Sequence, residues 1–308
     1  VFLGGKLLKL NVYYDLKYAP ATYDFACYLV TCNAIRQAMG YEKMGVTIVC
    51  DQFRNWSRRE QLTTLSEKRW RVNHILSKLP FLIPEVDSLT ITESPLTELN
   101  FPAFPGGYPP PPSQPFKLPY LTDQFIQFYN TNISLRPFRA SEQAKFFINN
   151  LFEDNVITIS LRNTKYQPTR NSNLDEWHKV YQELKNSKFR PIVIPCFEDY
   201  MGDRLFANYD WEIFDPAVLD IDIKLALYER AKDNLCINNG SQTVLIHSDC
   251  RYKYFKFVTE GVNITTPKHH KQTYDINPGD NFAFATESGQ DLFWETDNAD
   301  IILKALDL

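Results

Sequence analysis

No run of apolar residues in this 308-residue chain approaches the roughly 20 that a membrane-spanning helix needs. Residues Val1 to Leu10 are too few, and too interrupted by Lys6 and Lys9, to read as a signal peptide. A surplus of positive charge is also missing. The 33 Lys and Arg against 37 Asp and Glu leave a formal charge of −4, so no global field draws the chain to nucleic acid or to an anionic membrane. Any phosphate binding must therefore come from a local cluster. The six cysteines (Cys27, Cys32, Cys50, Cys196, Cys236 and Cys250) contain no C-x-x-C pair, which excludes the usual zinc spacing. They sit mostly in apolar runs and read as reduced, buried thiols of a cytosolic protein. His269-His270 has no carboxylate or Cys partner at ligand spacing and reads as a solvated loop. No nucleophile elbow is present, so hydrolase chemistry has no local support. The chain opens on Val in place of Met, which leaves room for an anchor or a neighbouring domain outside it.

What is present is a globular composition, 44% hydrophobic and 23% charged, at a length that suits two domains. Aromatics at 14% serve large cores first and sugar-stacking surfaces second. Leu7 to Tyr14 reads as a strand, and Asp24 to Met39 as an amphipathic helix with apolar residues at three and four, ended by Gly40. Gly45 to Asp51 is a second strand. Strand, helix, strand in about 45 residues is a βαβ unit and implies a parallel sheet. Arg54 to Arg71 gathers charge around Trp56 and Trp70 and reads first as a solvated helix face, second as a patch for an anionic glycan. A helix over Val72 to Leu79 and a strand over Leu89 to Thr92 follow. Phe101 to Pro119, with four prolines from Pro109 to Pro112, breaks the pattern; it reads as unable to supply sheet or helix bonds and marks a boundary or a structured crossover. Two domains are expected, 1–118 and 119–308.

The second half repeats the alternation. Ser141 caps a helix through Leu151, Val156 to Leu161 is a strand, and Asn173 caps a helix to Leu184. Pro191 to Pro195 and Asn234 to Ile237 are strands, with the helix Ile221 to Ala231 between them and a short strand over Trp211 to Phe214. Further on come a helix near Thr243 to Ser248, a strand from Tyr254 to Val258, an aperiodic loop from Gly261 to Gly279, and a last helix from Asn298 to Ala305. Two strand ends stand out. The first strand runs into Arg162, Asn163, Thr164, Lys165, Arg170 and Asn173, and Leu235-Cys236-Ile237 runs into Asn238-Asn239-Gly240-Ser241-Gln242-Thr243. Strand ends carrying Arg, Lys, Gly and Ser, each leading to a helix, are what an open α/β sheet uses to hold phosphate.

On these residues the second half resembles the C-terminal domain of GT-B glycosyltransferases. The features are Ser160-Leu161-Arg162 with Lys165, the helix with Trp177, and Leu225 to Ala231 leading into Asn234 to Ser241. The likeness is strongest to the bacterial heptosyltransferase branch, with a weaker echo of the fucosyltransferases, whose His-x-Arg-Arg arrangement is met only by Arg162. The heptosyltransferase turn carries Asp-Thr-Gly and then His, where this chain has Asn-Asn-Gly-Ser-Gln and a distant His247. The resemblance implies an α/β fold of two Rossmann-like parallel-sheet domains facing across a cleft, with acceptor side first and donor side second. It implies transfer of a hexosyl or heptosyl group from a nucleoside-diphosphate sugar to a glycan or glycolipid hydroxyl, inverting and without a metal or other cofactor. Such a protein would be cytoplasmic, with association with the inner membrane face allowed.

In that reading Arg162 presents a planar fork to phosphate oxygens and Lys165 adds a point charge. Asn239, Gly240, Ser241, Gln242 and Thr243 form the turn that approaches the diphosphate, and Glu198 takes the ribose hydroxyls. The base is Asp24, at the helix start, with Asp15 in the loop before it as runner-up. A helix N-terminus favours an ionised carboxylate, which weakens a base there, and Asp24 also suits a capping role. Asp220-Ile221-Asp222 matches the D-x-D metal motif of the other glycosyltransferase fold, yet it lies directly before a helix and reads as its cap. The alternatives on this fold are a nucleotide-sugar epimerase or hydrolase, or a catalytically silent glycan- or nucleotide-binding module.

Overall fold

The computed structural model describes residues 9–55, 60, 61, 63–111, 125–153 and 155–308. The chain divides into two compact units, Val1–Phe138 and Arg139–Leu308. The boundary expected at 118/119 lies outside the described residues, and the division falls beyond it. The Gln37 side chain explains why, since it donates to the Ser134 carbonyl at 2.9 Å and accepts from the Ser134 amide at 3.1 Å. That pair ties the segment after the prolines to the first unit.

The first unit holds β1 (Lys9–Asp15), α1 (Asp24–Ala38), β2 (Lys43–Val49), α2 (Leu65–Arg71), β3 (Val86–Thr92) and β4 (Ala103–Phe104). Its four strands are all parallel, in the order β3-β2-β1-β4. α1 buries Phe25, Tyr28, Leu29 and Cys32, and the Tyr28 hydroxyl donates to the Tyr13 carbonyl at 2.8 Å, which fixes the helix on the strand. Gly40, at φ +70°, takes the left-handed conformation past the helix end, where a Cβ would be strained.

Three expectations change here. The Pro-rich stretch does supply sheet bonds, because Ala103 and Phe104 pair with Asn11 and Val12 and the Pro102 carbonyl accepts from the Asn11 amide at 2.9 Å. Proline lacks a donor but keeps its acceptor. The helix expected from Val72 is a π-turn, Val72–Leu76, that continues α2 without a break. The charged stretch is partly turned inward, with Arg54 and Glu60 paired at 2.6 Å and the Lys68 ammonium on the Arg54 carbonyl at 3.2 Å. Trp56, Arg58 and Arg59 lie outside the described residues.

The second unit holds α3 (Glu142–Asn149), β5 (Val156–Ser160), α4 (Leu174–Lys185), β6 (Arg190–Ile194), α5 (Ile221–Arg230), β7 (Asp233–Ile237), β8 (Tyr252–Phe255), α6 (Pro267–Tyr274), β9 (Gln290–Leu292) and α7 (Ala299–Lys304). All five strands are parallel, in the order β6-β5-β7-β8-β9. β5 and β7 are buried along their whole lengths, as a central parallel sheet covered on both faces requires. Ser141, Asn173, Asp220 and Asn298 cap α3, α4, α5 and α7 with their side chains. Trp177, Val180 and Leu184 of α4 pack on Ile157, Ile159, Leu235 and Phe255, each contributing about 1.5–3 kcal/mol by leaving water.

Two further expectations fail. Trp211 to Phe214 makes one bridge, Val193 to Ile213, and no strand. The stretch 261–279 contains α6, and His270 is buried there, stacked on Phe257 with ring centroids 3.8 Å apart. Burial pushes the His270 imidazole down to about 4, so it is a neutral core residue and no solvated loop.

Both sheets reverse direction once. In the first unit the chain steps outward from β1 to β2 and β3, then returns to β4 on the other side of β1. In the second it steps from β5 to β6, then crosses to β7. Open α/β sheets bind ligands beyond the carboxyl ends of the strands at such a reversal.

Candidate functional site

At the reversal of the second sheet, the loop after β5 meets the turn after β7. The contact is Arg170, whose guanidinium donates to Asn238 Oδ1 at 2.8 Å and to the Asn238 carbonyl at 3.2 Å. Arg162, expected to point outward, is 4% exposed and turned into its own loop. Its guanidinium donates to the Tyr166 carbonyl at 2.5 Å, to the Gln167 carbonyl at 3.1 Å and to Asn171 Oδ1. It braces the loop, and its fork is occupied by protein acceptors. Lys165 is exposed on the same loop. The loop is also held from its far side. Asn163 Nδ2 donates to buried Asp199 at 2.9 Å, and Lys256 at the end of β8 donates to the Asn171 carbonyl. Lys256 also pairs with Asp297 at 3.3 Å, which accepts in turn from the Asn173 amide at 2.8 Å and Trp177 Nε1 at 3.0 Å.

The turn after β7 is closed by two backbone bonds, Gln242 N–H to the Asn239 carbonyl at 3.0 Å and Thr243 N–H to the Gly240 carbonyl at 3.2 Å. Those two amides, expected to face an anion, are used by the turn itself, whereas neither bond uses the Gly240 or Ser241 amide. The helix that follows, Gln242–Ile246, is a single turn. Gln242 is buried, with its side-chain oxygen accepting from the Tyr228 hydroxyl at 3.1 Å, and Tyr228 bonds Ser160 Oγ at 2.7 Å. Gln242 is thus part of the core. Asn239 and Thr243 are half-buried and Gly240 is exposed, so the tip of the turn faces solvent. Glu198 is exposed in the first turn of the short helix Phe197–Met201, after the neighbouring strand β6.

One residue at this place was missed in the sequence. Lys224 on α5 is 6% exposed, and its ammonium donates to Ser241 Oγ at 3.3 Å. Burial pushes that ammonium down to about 8. A lysine within a helix reads as solvent-facing, but the spacing held a signal: Lys224 is three after Ile221 and four before Tyr228, on the apolar face.

At the reversal of the first sheet stands Asp15, the last residue of β1. It is 6% exposed, and its carboxylate accepts from the Lys17 amide at 2.8 Å and from the Tyr108 hydroxyl at 2.9 Å. Tyr108 arrives from beyond β4 and stacks on Tyr13 with centroids 5.7 Å apart. Burial raises the Asp15 carboxyl above its ordinary range, the two hydrogen bonds offset part of this, and the charge of Asp51 adds to the rise. Burial, with the Asp15 charge, also raises the Tyr108 phenol, which stays a donor across the neutral range. Asp24 is elsewhere, exposed in the first turn of α1, with its amide on Thr22 Oγ1 at 3.3 Å. The N-cap position is Tyr23, which makes no side-chain cap bond, and Asp24 is already the first helical residue, so Asp24 does not cap α1.

The D-x-D acids are committed to the backbone and to a neighbouring helix. Asp220 caps α5 by accepting from the Asp222 and Ile223 amides at 2.8 and 3.2 Å. Asp222 accepts from the Ser141 amide and hydroxyl at 2.8 and 2.6 Å, joining α5 to α3. Among the described residues no group of three or more His, Cys, Asp or Glu is arranged to hold a metal ion. No helix of the described residues is long and apolar enough to cross a membrane. A groove lined by Asn155, Lys188, Arg230 and Lys232 lies at the opposite, amino-terminal edge of the second sheet, away from that sheet's reversal.

No family model matches the chain, and no curated protein matches it. Among solved structures it is similar to a family 9 glycosyl transferase from Veillonella parvula, with TM-score 0.48 and 9% identity over 99% of this chain and 98% of that one. It is also similar to a UDP-GlcNAc 2-epimerase from Methanocaldococcus jannaschii, with TM-score 0.40 and 13% identity over 98% and 92%. The wall teichoic acid polymerase TagF gives TM-score 0.33 and 9% identity over 97% and 79%. The residue roles above stand on this chain's own geometry.

Proposed function

We propose that this protein is a glycosyltransferase that moves a sugar from a nucleoside-diphosphate donor to an acceptor hydroxyl, with inversion and without a metal. The observation that carries the reading is the pair of loops joined by Arg170 and Asn238 beyond the reversal of the second sheet. A polar, glycine-containing turn beside a basic loop at that place suits a diphosphate. The second unit is then the donor side. Asn239, Gly240 and Ser241 line the phosphate, Thr243 and Lys165 flank it, and Glu198 meets the ribose.

For the base, the candidates are Asp15 and Asp24. In an inverting step the acceptor oxygen attacks the anomeric carbon while its proton passes to a carboxylate. The bond from that carbon to the diphosphate breaks, and its electron pair leaves on the phosphate oxygen. Asp15 suits the proton transfer better than Asp24, because burial makes its carboxylate more basic and Tyr108 holds its orientation. Leaving-group charge falls to cationic side chains, since the D-x-D acids are spent on a helix cap and a helix tie.

The test is a thermal-shift series with nucleoside diphosphates, followed by incubation with the matching sugar donors with and without a glycan acceptor. Acceptor-dependent release of the nucleoside diphosphate supports transfer. Release without acceptor identifies a hydrolase, a changed sugar still attached to the nucleotide identifies an epimerase, and binding without turnover identifies a silent module. If no nucleoside diphosphate shifts the melting temperature, the donor side is not here.

A further inference from the structure

We propose that Lys224, Ser241 and the exposed turn above them form a binding site for a phosphate-class anion, with the Lys224 ammonium as its buried counter-charge. The identity of the anion as a diphosphate rests on the function proposed above, whereas the site itself rests on three observations.

First, an ammonium carries three donors, and among the described residues the only hydrogen-bond acceptor this one reaches is Ser241 Oγ at 3.3 Å. Second, no carboxylate of the described residues lies within ion-pair distance of it. Its neighbours are the Tyr228 ring, 5.8 Å from the ammonium to the ring centroid, and the thiols of Cys196 and Cys236, both kept neutral by burial. Lysine is almost never fully buried without a partner, because the desolvation of its charge goes unanswered. Third, the group that Lys224 touches belongs to the turn after β7, whose tip, Gly240, is open to solvent at the reversal of the second sheet. The other end of the same turn, Asn238, holds the Arg170 guanidinium. An anion seated on Gly240 and Ser241 would give the buried ammonium its missing counter-charge. It would also explain why the sequence keeps a charge on the apolar face of α5, where methionine would pack as well.

The experiment uses the full chain and inorganic pyrophosphate as the probe, read by calorimetry and by thermal shift at neutral pH. The wild type is expected to bind pyrophosphate. Lys224→Met is expected to melt above the wild type without ligand, since a buried uncompensated charge is gone, and to bind pyrophosphate about 10- to 100-fold more weakly, the scale of one charge-assisted hydrogen bond. Lys224→Gln, which keeps a polar group for Ser241 but no charge, gives a second reading of the same loss. Lys188→Met, at the opposite edge of the sheet, should bind as the wild type does. Absence of pyrophosphate binding at millimolar concentration, or wild-type affinity in both Lys224→Met and Lys224→Gln, overturns the site. A nucleoside diphosphate that binds more tightly than pyrophosphate supports the site as the donor's. Pyrophosphate binding that depends on Lys224 without any sugar transfer supports the site and rejects only the transferase reading.

Discussion

Removing the Arg162 guanidinium separates two roles that look alike in sequence. As an anion fork, Arg162 would leave stability almost untouched when replaced by Ala and would matter only to ligand affinity. As found, it is buried and bonded to the Tyr166 and Gln167 carbonyls and to Asn171 Oδ1. Asn171 is itself the hub of the loop, donating to Asn163 Oδ1 at 3.0 Å and to the Thr164 carbonyl at 3.1 Å, and accepting from the Thr164 amide at 3.1 Å. A hydrogen bond from a charged donor contributes about 1.5–3 kcal/mol net and a neutral one about 1 kcal/mol. Water can reach a half-buried loop once the side chain is gone and re-satisfy its carbonyls, so the three lost bonds are discounted to about 1 kcal/mol each, roughly 3 kcal/mol in all. At about 2–4 °C per kcal/mol for a domain of this size, Arg162→Ala should lower the melting temperature of the second unit by about 6–12 °C. Lys keeps the charge but presents its donors from a single point, so Arg162→Lys should recover only a small part of the loss. Urea unfolding followed by the fluorescence of Trp177 and Trp211, both buried in this unit, reads the effect. An Arg162→Ala protein within about 0.5 kcal/mol of the wild type, yet unable to bind nucleoside diphosphate, would refute the brace and restore the fork.

The two candidate bases separate by the same kind of substitution. Asp15→Asn should fold, because Asn keeps the acceptor for the Lys17 amide, and should lose on the order of 10²–10⁴ in transfer, whereas Asp24→Asn should transfer normally; steady-state assays with donor in excess decide it, and the reverse pattern returns the base to α1. Asp220→Ala should cost about 1 kcal/mol of stability through the lost cap of α5, and turnover should survive EDTA; inactivation on chelation that manganese restores would return these acids to metal binding. Lys224 also predicts an alkaline signature. Its proton leaves the folded protein at about 8 and the unfolded chain near the ordinary 10.5, so the unfolded state binds more protons between those values and stability rises with pH across that window. Buried thiols and phenols with raised values act in the opposite sense. The difference between wild type and Lys224→Met in urea midpoints from pH 7 to 11 isolates the lysine, and a constant difference would show that its proton is not held as described.

What the sequence determined by itself is the part of the fold that local forces decide. The strand–helix alternation, the parallel sheets it implies and the caps Ser141, Asn173 and Asp220 all follow from periodicity and from side chains that bond amides two or three residues away. Asp15 was visible as an acid in the loop after the first strand, ranked second to Asp24. The tertiary structure alone decided β4 and β9, because strands of two and three residues carry no period of their own and exist only through the neighbours they pair with. It also decided direction: the same Arg162 that reads as an anion fork in the chain turns inward because the loop folds its carbonyls around it. Lys224 and His270 went unrecognised for one physical reason. Whether a polar side chain is buried depends on what packs over its helix, and that is contributed by residues distant in sequence, Ser241 for the one and Phe257 for the other.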